Sequence, residues 1–174
     1  LQLLGVDALH EPEVSTLPGL IHRGRYLDPG AREEIVIGSL LARNLRIGPG
    51  DELSFLGSGF DDSFAAGVVT VVGIFESGNA DLDRSVAQVN LAYFQDSFAM
   101  GAAGHSIVIR AAQVDDVDAL MAGVNSGLQG SEKVVARHWD ELQPGLRQAI
   151  RADMTSAWFM YTILIVLVAF SVLN

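Results

Sequence analysis

Residues 65–75 read AAGVVTVVGIF, a run rich in β-branched side chains and the strongest strand signal in the chain. Upstream lies EEIVIGSLLARNLRIGPGDELSFLG (residues 33–57), in which Ile37, Leu40, Leu41 and Leu45 fit one helical face. Gly48-Pro49-Gly50-Asp51 then forces a turn, and 52–56 starts a strand. Downstream, RSVAQVN (84–90) alternates with Val86 and Gln88 on one face, and Leu91, Phe94 and Phe98 mark a short amphipathic helix. Residues 28–100 therefore read as a β-rich module of strands joined by Gly and Asp turns. Ahead of it, QLLGVD (2–7) reads as a short strand, and 10–29, which holds Pro12, Pro18 and Pro29, as mostly loop.

From His105 the periodicity changes. SIVIR (106–110) reads as a strand, and Val114, Val117, Met121, Val124 and Leu128 form one apolar helical stripe. Asp115, Asp116 and Asp118 crowd the first turn, where the helix dipole favours negative charge. Gly127 and Gly130 end the helix, and KVVARH (133–138) reads as a second strand, completing a β-α-β unit. Segment 2–7 is its natural sheet neighbour. The expected fold class is α+β: a small α/β porter-like domain, 1–10 with 104–139, carrying 28–100 as an inserted β-rich subdomain. The stripe from Val114 to Leu128 is expected in the core.

The chain has 174 residues and a net charge of −10, but the charge is unevenly spread. No Lys, Arg, Asp or Glu occurs in 155–174, TSAWFMYTILIVLVAFSVLN. Twenty helical residues span ~30 Å, the thickness of the bilayer hydrocarbon. Trp158 and Tyr161 sit where an interfacial aromatic belt would lie. Leu142, Leu146, Ile150 and Met154 recur every four residues ahead of it. A stalk helix over 140–154 is thus expected to run into a transmembrane helix at 155–174. The acidic balance argues against a nucleic-acid partner and places the soluble part on the non-cytoplasmic side. Cysteine is absent, so there is no disulfide framework. The opening LQLLGVDALHEPE lacks the features of a signal peptide, so export calls for an upstream span. Both ends of the chain are expected to be cut.

Motifs for chemistry are few. His10-Glu11-Pro12-Glu13-Val14 starts like a zinc helix, but it lacks the second histidine and Pro12 is expected to spoil the helix. His10, His22, His105 and His138 share no ligand spacing. The oxygen-rich 76–83 lacks the order of a calcium loop and reads as a solvated turn between strands. Gly57-Ser58-Gly59-Phe60 has no following Lys-Ser/Thr, and no G-x-S-x-G occurs. Phe60 and Phe64 flank Asp61-Asp62-Ser63. Exposed, they would contact an apolar ligand or partner; packing under their own hairpin is the commoner fate of single aromatics. No catalytic, cofactor-binding or metal-ligating residue is assigned, no cofactor is expected, and the substrate contacts are unknown.

Several features occur together in order: Ile37-Gly38 before Leu41-Ala42, the Gly50-Asp51 turn, and Val72-Gly73-Ile74-Phe75 followed by Gly78 and Asp83. Asn174 looks like the Asn that opens an Asn-Thr pair in a second span, and GVDALHEPEVS looks like a Gly-Val-Asp-Pro opening with Ala8 in place of Pro. With these the chain resembles the permease subunits of lipoprotein-release-type ABC transporters (LolC/LolE-like), within the wider MacB/FtsX group that includes macrolide exporters. The resemblance implies four spans, with a large periplasmic domain between the first two. It also implies dimerisation with a second permease copy, and a cytoplasmic ATPase, separate or fused, that does the catalysis. The whole would sit in the bacterial inner membrane and release or export lipoproteins, drugs or other amphiphiles, with a periplasmic lipoprotein or adaptor and membrane lipid as further partners. The alternative is a membrane-anchored extracytoplasmic ligand-binding or sensor domain without a transport role.

Overall fold

The computed structural model describes residues 1–113, 116–129, 134–142 and 144–173. They fall into two compact units, Leu1–Arg110 and Ala111–Asn174. In the first, strand β5 (Phe64–Phe75) extends the run read above by one residue. Its first half pairs antiparallel with β4 (Glu52–Ser58). Its second half lies between β3 (Glu34–Gly38), parallel, and β2 (Ile21–Gly24), antiparallel. Strand β6 (Val86–Asn90) joins the far side of β3, and β1 (Gln2–Val6) pairs parallel with β6. The result is a six-stranded mixed sheet in the order β1-β6-β3-β5-β2, with β4 on β5 alone. With its helices the chain is an α+β protein.

The sheet buries apolar side chains on both faces. Ile35, Ile37, Val71 and Val89 pack on one face with Leu41 of α2 (Ser39–Leu45) and Phe94 of α4 (Leu91–Ser97). Val36, Phe75 and Val86 pack on the other with Ala8 and Leu27. A strand covered on both faces has no period-two alternation. That is why the expected helical face fails: Ile37 belongs to β3, and α2 begins only at Ser39.

Other expectations are corrected for related reasons. The stretch 10–29 is not mostly loop, since it holds α1 (Glu11–Val14), a 3-10 turn at Leu17–Leu20 and β2. Pro12 lies in the first turn of α1, where a missing N–H costs nothing, so it opens the helix it was expected to spoil. The sheet partner of 2–7 is β6. All five residues of β6 are buried, so it needs a neighbour at each edge to satisfy its backbone; β3 supplies one and β1 the other. Strand β1 therefore shares one sheet with strands from 28–100, which are not a separate insert. Neither 106–110 nor 134–138 forms a strand in this structure, so the expected β-α-β unit is not formed.

In the second unit α5 (Val117–Gly127) carries the expected stripe, with Val117, Met121 and Val124 half-buried and none fully buried. The expected core is thus only half covered; Val114 and Gly130 lie outside the described residues. Helix α6 (Trp139–Leu142) precedes α7 (Pro144–Leu173), thirty residues in one continuous helix. Gln143 and Asn174 lie outside the described residues. Within α7, Ala152–Phe170 is long and apolar enough to cross a membrane, with mean hydropathy 1.7, and none of it is buried.

Polar side chains fasten the loop before β3. Tyr26 Oη donates to Gln88 Oε1 at 2.8 Å, and burial raises the Tyr26 pKa. Asn90 Nδ2 donates to the carbonyls of Asp28 and Ala31. Arg25 closes the loop on Glu34, with Nη1 to Oε2 at 2.8 Å, and the Asp28 amide donates to the same oxygen. The hydrogen bond from Arg25 holds the Glu34 carboxyl below its usual range. Its folded pKa is lower than its unfolded one, so the stabilisation is complete above about pH 4.3 and is lost as pH falls through the folded value. We predict that Glu34→Gln unfolds at lower urea than wild type at pH 7, and that the gap closes at low pH. A gap of equal size at both would show that the carboxylate charge contributes nothing.

Candidate functional site

Beyond residue 70, toward its N-terminal end, β5 pairs only with β4, so 52–70 forms a two-stranded ribbon. Its residues alternate faces. On the inner face Phe55 stacks on Phe98 (ring centroids 5.7 Å apart, planes at 8°) and meets Tyr93 edge-on at 6.2 Å. Phe98 in turn stacks on Phe94 at 4.5 Å. At the tip, Gly59 N donates to Ser63 O and Phe60 N to Phe98 O (2.8 and 2.7 Å), and Asp62 takes a left-handed conformation (φ 62°).

The outer face is apolar and uncovered. The register pairs Leu56 with Ala66, Ser58 with Phe64 and Ser54 with Val68, which puts Leu56, Phe64 and Val68 on one side. Phe60 is 73% exposed and Phe64 76%, so the packing expected for these aromatics does not occur. The pleat puts Phe64, opposite Ser58, on the face away from Phe55, and Phe60 lies in the turn beyond β4. Beside the ribbon, a cavity of about 270 Å³ is lined by Leu1, Leu3, Phe55, Leu56, Phe94 and Phe98. No Lys or Arg occurs between Arg46 and Arg84, while Asp51, Glu52, Asp61 and Asp62 flank the apolar face. Hydrogen bonds from Ser63 lower the pKa of Asp61, which keeps the tip anionic. The ribbon thus combines apolar contact area with negative charge.

Several other residues singled out in the sequence make local structural contacts. The loop 76–83 is more than a solvated turn: Asn79 Oδ1 caps α3 (Ala80–Ser85) by accepting from Asp81 N, and Asp83 is buried. Its carboxylate accepts from Ser77 N and Ser77 Oγ (2.9 and 2.7 Å) and from Ser39 Oγ at 3.4 Å, tying the loop to the start of α2. His10 pairs with Asp7 (Nδ1 to Oδ2, 2.8 Å), which raises the imidazole pKa. His138 lies 3.9 Å from Asp118 and against Trp139. Among the described residues no three His, Asp or Glu side chains gather as metal ligands.

These features define an acidic α+β domain that shares its chain with a helix able to span a bilayer. The chain belongs to the MacB-like periplasmic core domain family, which it matches over residues 2–126. It is therefore an extracytoplasmic domain of the ABC transporter permease class. No curated protein matches the chain.

We predict that the double variant Phe60→Ser, Phe64→Ser melts within a few degrees of wild type, since exposed side chains contribute little to folding. Phe55→Ala, which empties the inner face, should cost ~3–5 kcal/mol. Comparable losses for both would show that the tip aromatics are packed.

Proposed function

We propose that this domain works in a permease of the lipoprotein-release and macrolide-exporter type in the bacterial inner membrane. Two permease copies assemble with a cytoplasmic ATPase, separate or fused, that hydrolyses ATP. The domain itself has no catalytic role: it converts movement of the membrane helix into release or export of amphiphiles. Helix α7 supports this reading most, since its thirty residues run unbroken from the soluble side into the apolar window Ala152–Phe170. At 1.5 Å per residue, the eight residues ahead of that window add a stalk of about 12 Å. A continuous helix passes rotation or translation of its membrane half to its soluble half, which a flexible linker cannot do. The outer face of the ribbon is the contact surface in this scheme. Leu56, Phe60 and Phe64 offer apolar area to the cargo or adaptor, and the flanking carboxylates favour partners with basic groups.

A Gly-Ser insertion between Gln148 and Asp153 breaks this transmission while leaving each half folded. In the full transporter we predict that ATP hydrolysis continues while export falls well below the wild-type rate. Export at the wild-type rate would show that α7 is only a tether.

A further inference from the structure

The carboxyl ends of β1 and β6 lie side by side, because their parallel register sets Val6 opposite Asn90. Beyond them the chain leaves in two directions, to α1 after β1 and to α4 after β6. Diverging connections of this kind open a crevice at the carboxyl end of a sheet. Here it is a cavity of about 280 Å³, with Val6, Ala8 and Leu91 among its apolar walls and 29–32 as a further side.

The polar groups of the cavity are mostly hydrogen-bond acceptors. Asn90 is only 6% exposed, and its Nδ2 donates to Asp28 O and Ala31 O. Two carbonyls fix the orientation of the side chain, since only the NH₂ end of an amide donates. Asn90 Oδ1 therefore faces the other way, and among the described residues it accepts no hydrogen bond. No sealed side-chain oxygen of the described residues lacks a partner, so Oδ1 is reached from the cavity that Asn90 lines. Gln95 repeats the pattern: its Nε2 donates to Ala103 O, which leaves Oε1 without a partner among the described residues. The Asp7 carboxylate lines the same cavity and accepts from Leu9 N and His10 Nδ1, and each of its oxygens keeps a further lone pair. The hydrogen bond from His10 holds the Asp7 carboxyl below its usual range, so it is ionised at neutral pH. Arg32, the cation on the lining, is paired with Asp96.

Acceptors on three side chains, one of them anionic, beside apolar walls match a group with three N–H donors and a positive charge on an apolar stem. We propose that this cavity binds a primary alkylammonium. The ammonium reaches the oxygens of Asp7, Asn90 and Gln95, and the stem lies along Val6, Ala8 and Leu91. The volume falls near the lower end of small-molecule sites, which suits a stem of few carbons. This goes beyond the transport reading and does not depend on it.

The test is calorimetric titration of the full chain with n-butylammonium chloride, in amine-free buffer and in phosphatidylcholine nanodiscs, whose lipid brings no primary amine. Binding should saturate, and n-butanol and butyrate should bind at least about tenfold more weakly. Asp7→Asn removes the charge and keeps the shape, and should weaken butylammonium by about fivefold. In the unmodified chain the side-chain amide resonances of Asn90 should shift as the site fills, a readout that needs no variant. The same ammonium is carried by a lysine side chain, so Nα-acetyl-lysine methylamide is titrated in parallel. Binding equal to that of butylammonium assigns the site to a lysine of a partner, and weaker binding assigns it to a free amine. Butanol or butyrate binding as tightly as butylammonium would overturn the proposal. So would unchanged affinity in Asp7→Asn, or the absence of saturable heat together with unmoved Asn90 resonances.

Discussion

The backbone pairing of β5 is the interaction on which the rest of the sheet depends. Its twelve residues are longer than any single neighbour, so different strands satisfy different parts of it: β4 over 64–70, then β3 and β2 toward Phe75. Register shifts in the pairing of β5 with both β2 and β3, with His22 extra in β2 and Val72 extra in β5, accompany the change of partners beside Gly73. A Cβ at Gly73 would come within 2.1 Å of Arg25 O, and Gly24 opposite it has φ +82°, a conformation that L side chains rarely adopt. This glycine pair lets β2 approach β5 closely enough to bond, and a glycine inside a strong strand signal is the usual mark of such a site.

The same constraint produces the ribbon. Where β5 has no partner but β4, only one face can be covered, and the aromatic side chains of α4 and Phe98 cover it through Phe55. The other face is left to solvent with Leu56, Phe60, Phe64 and Val68 upon it. A patch of this kind, rimmed by carboxylates, is the feature of the first unit most suited to meeting another molecule. It is an arm built on a rigid sheet, so force applied at its tip reaches the strands through backbone hydrogen bonds.

How much of this was legible depended on whether a segment's surroundings are local. Strands β1, β4, β5 and β6 and helix α4 carry their pattern in their own residues, and each was read close to its true limits. Strand β3 shows no alternation in its sequence because it is buried on both faces. The four residues of β2, Ile-His-Arg-Gly, hold almost no pattern, and only β5 makes them a strand. Asp83 looked like one more turn oxygen because Ser39, forty-four positions away, is what helps bury it. The exposure of Phe64 follows from the register of β4 on β5, which puts it on the face away from Phe55, and that register is not written in the spacing of the two tip aromatics. The class of protein was easier, since an ordered series of small motifs and an uncharged apolar run survive without knowledge of packing.

The membrane end of the account rests on α7 being a single rod. Spin labels at Gly145→Cys and Phe170→Cys in lipid nanodiscs measure this directly, since the chain has no other cysteine. A continuous helix separates the two backbone positions by roughly 38 Å. The account predicts one narrow distance distribution centred near that value, unchanged by temperature. A broad or much shorter distribution would show a joint within 144–173 and contradict the idea that the helix carries motion between membrane and soluble domain.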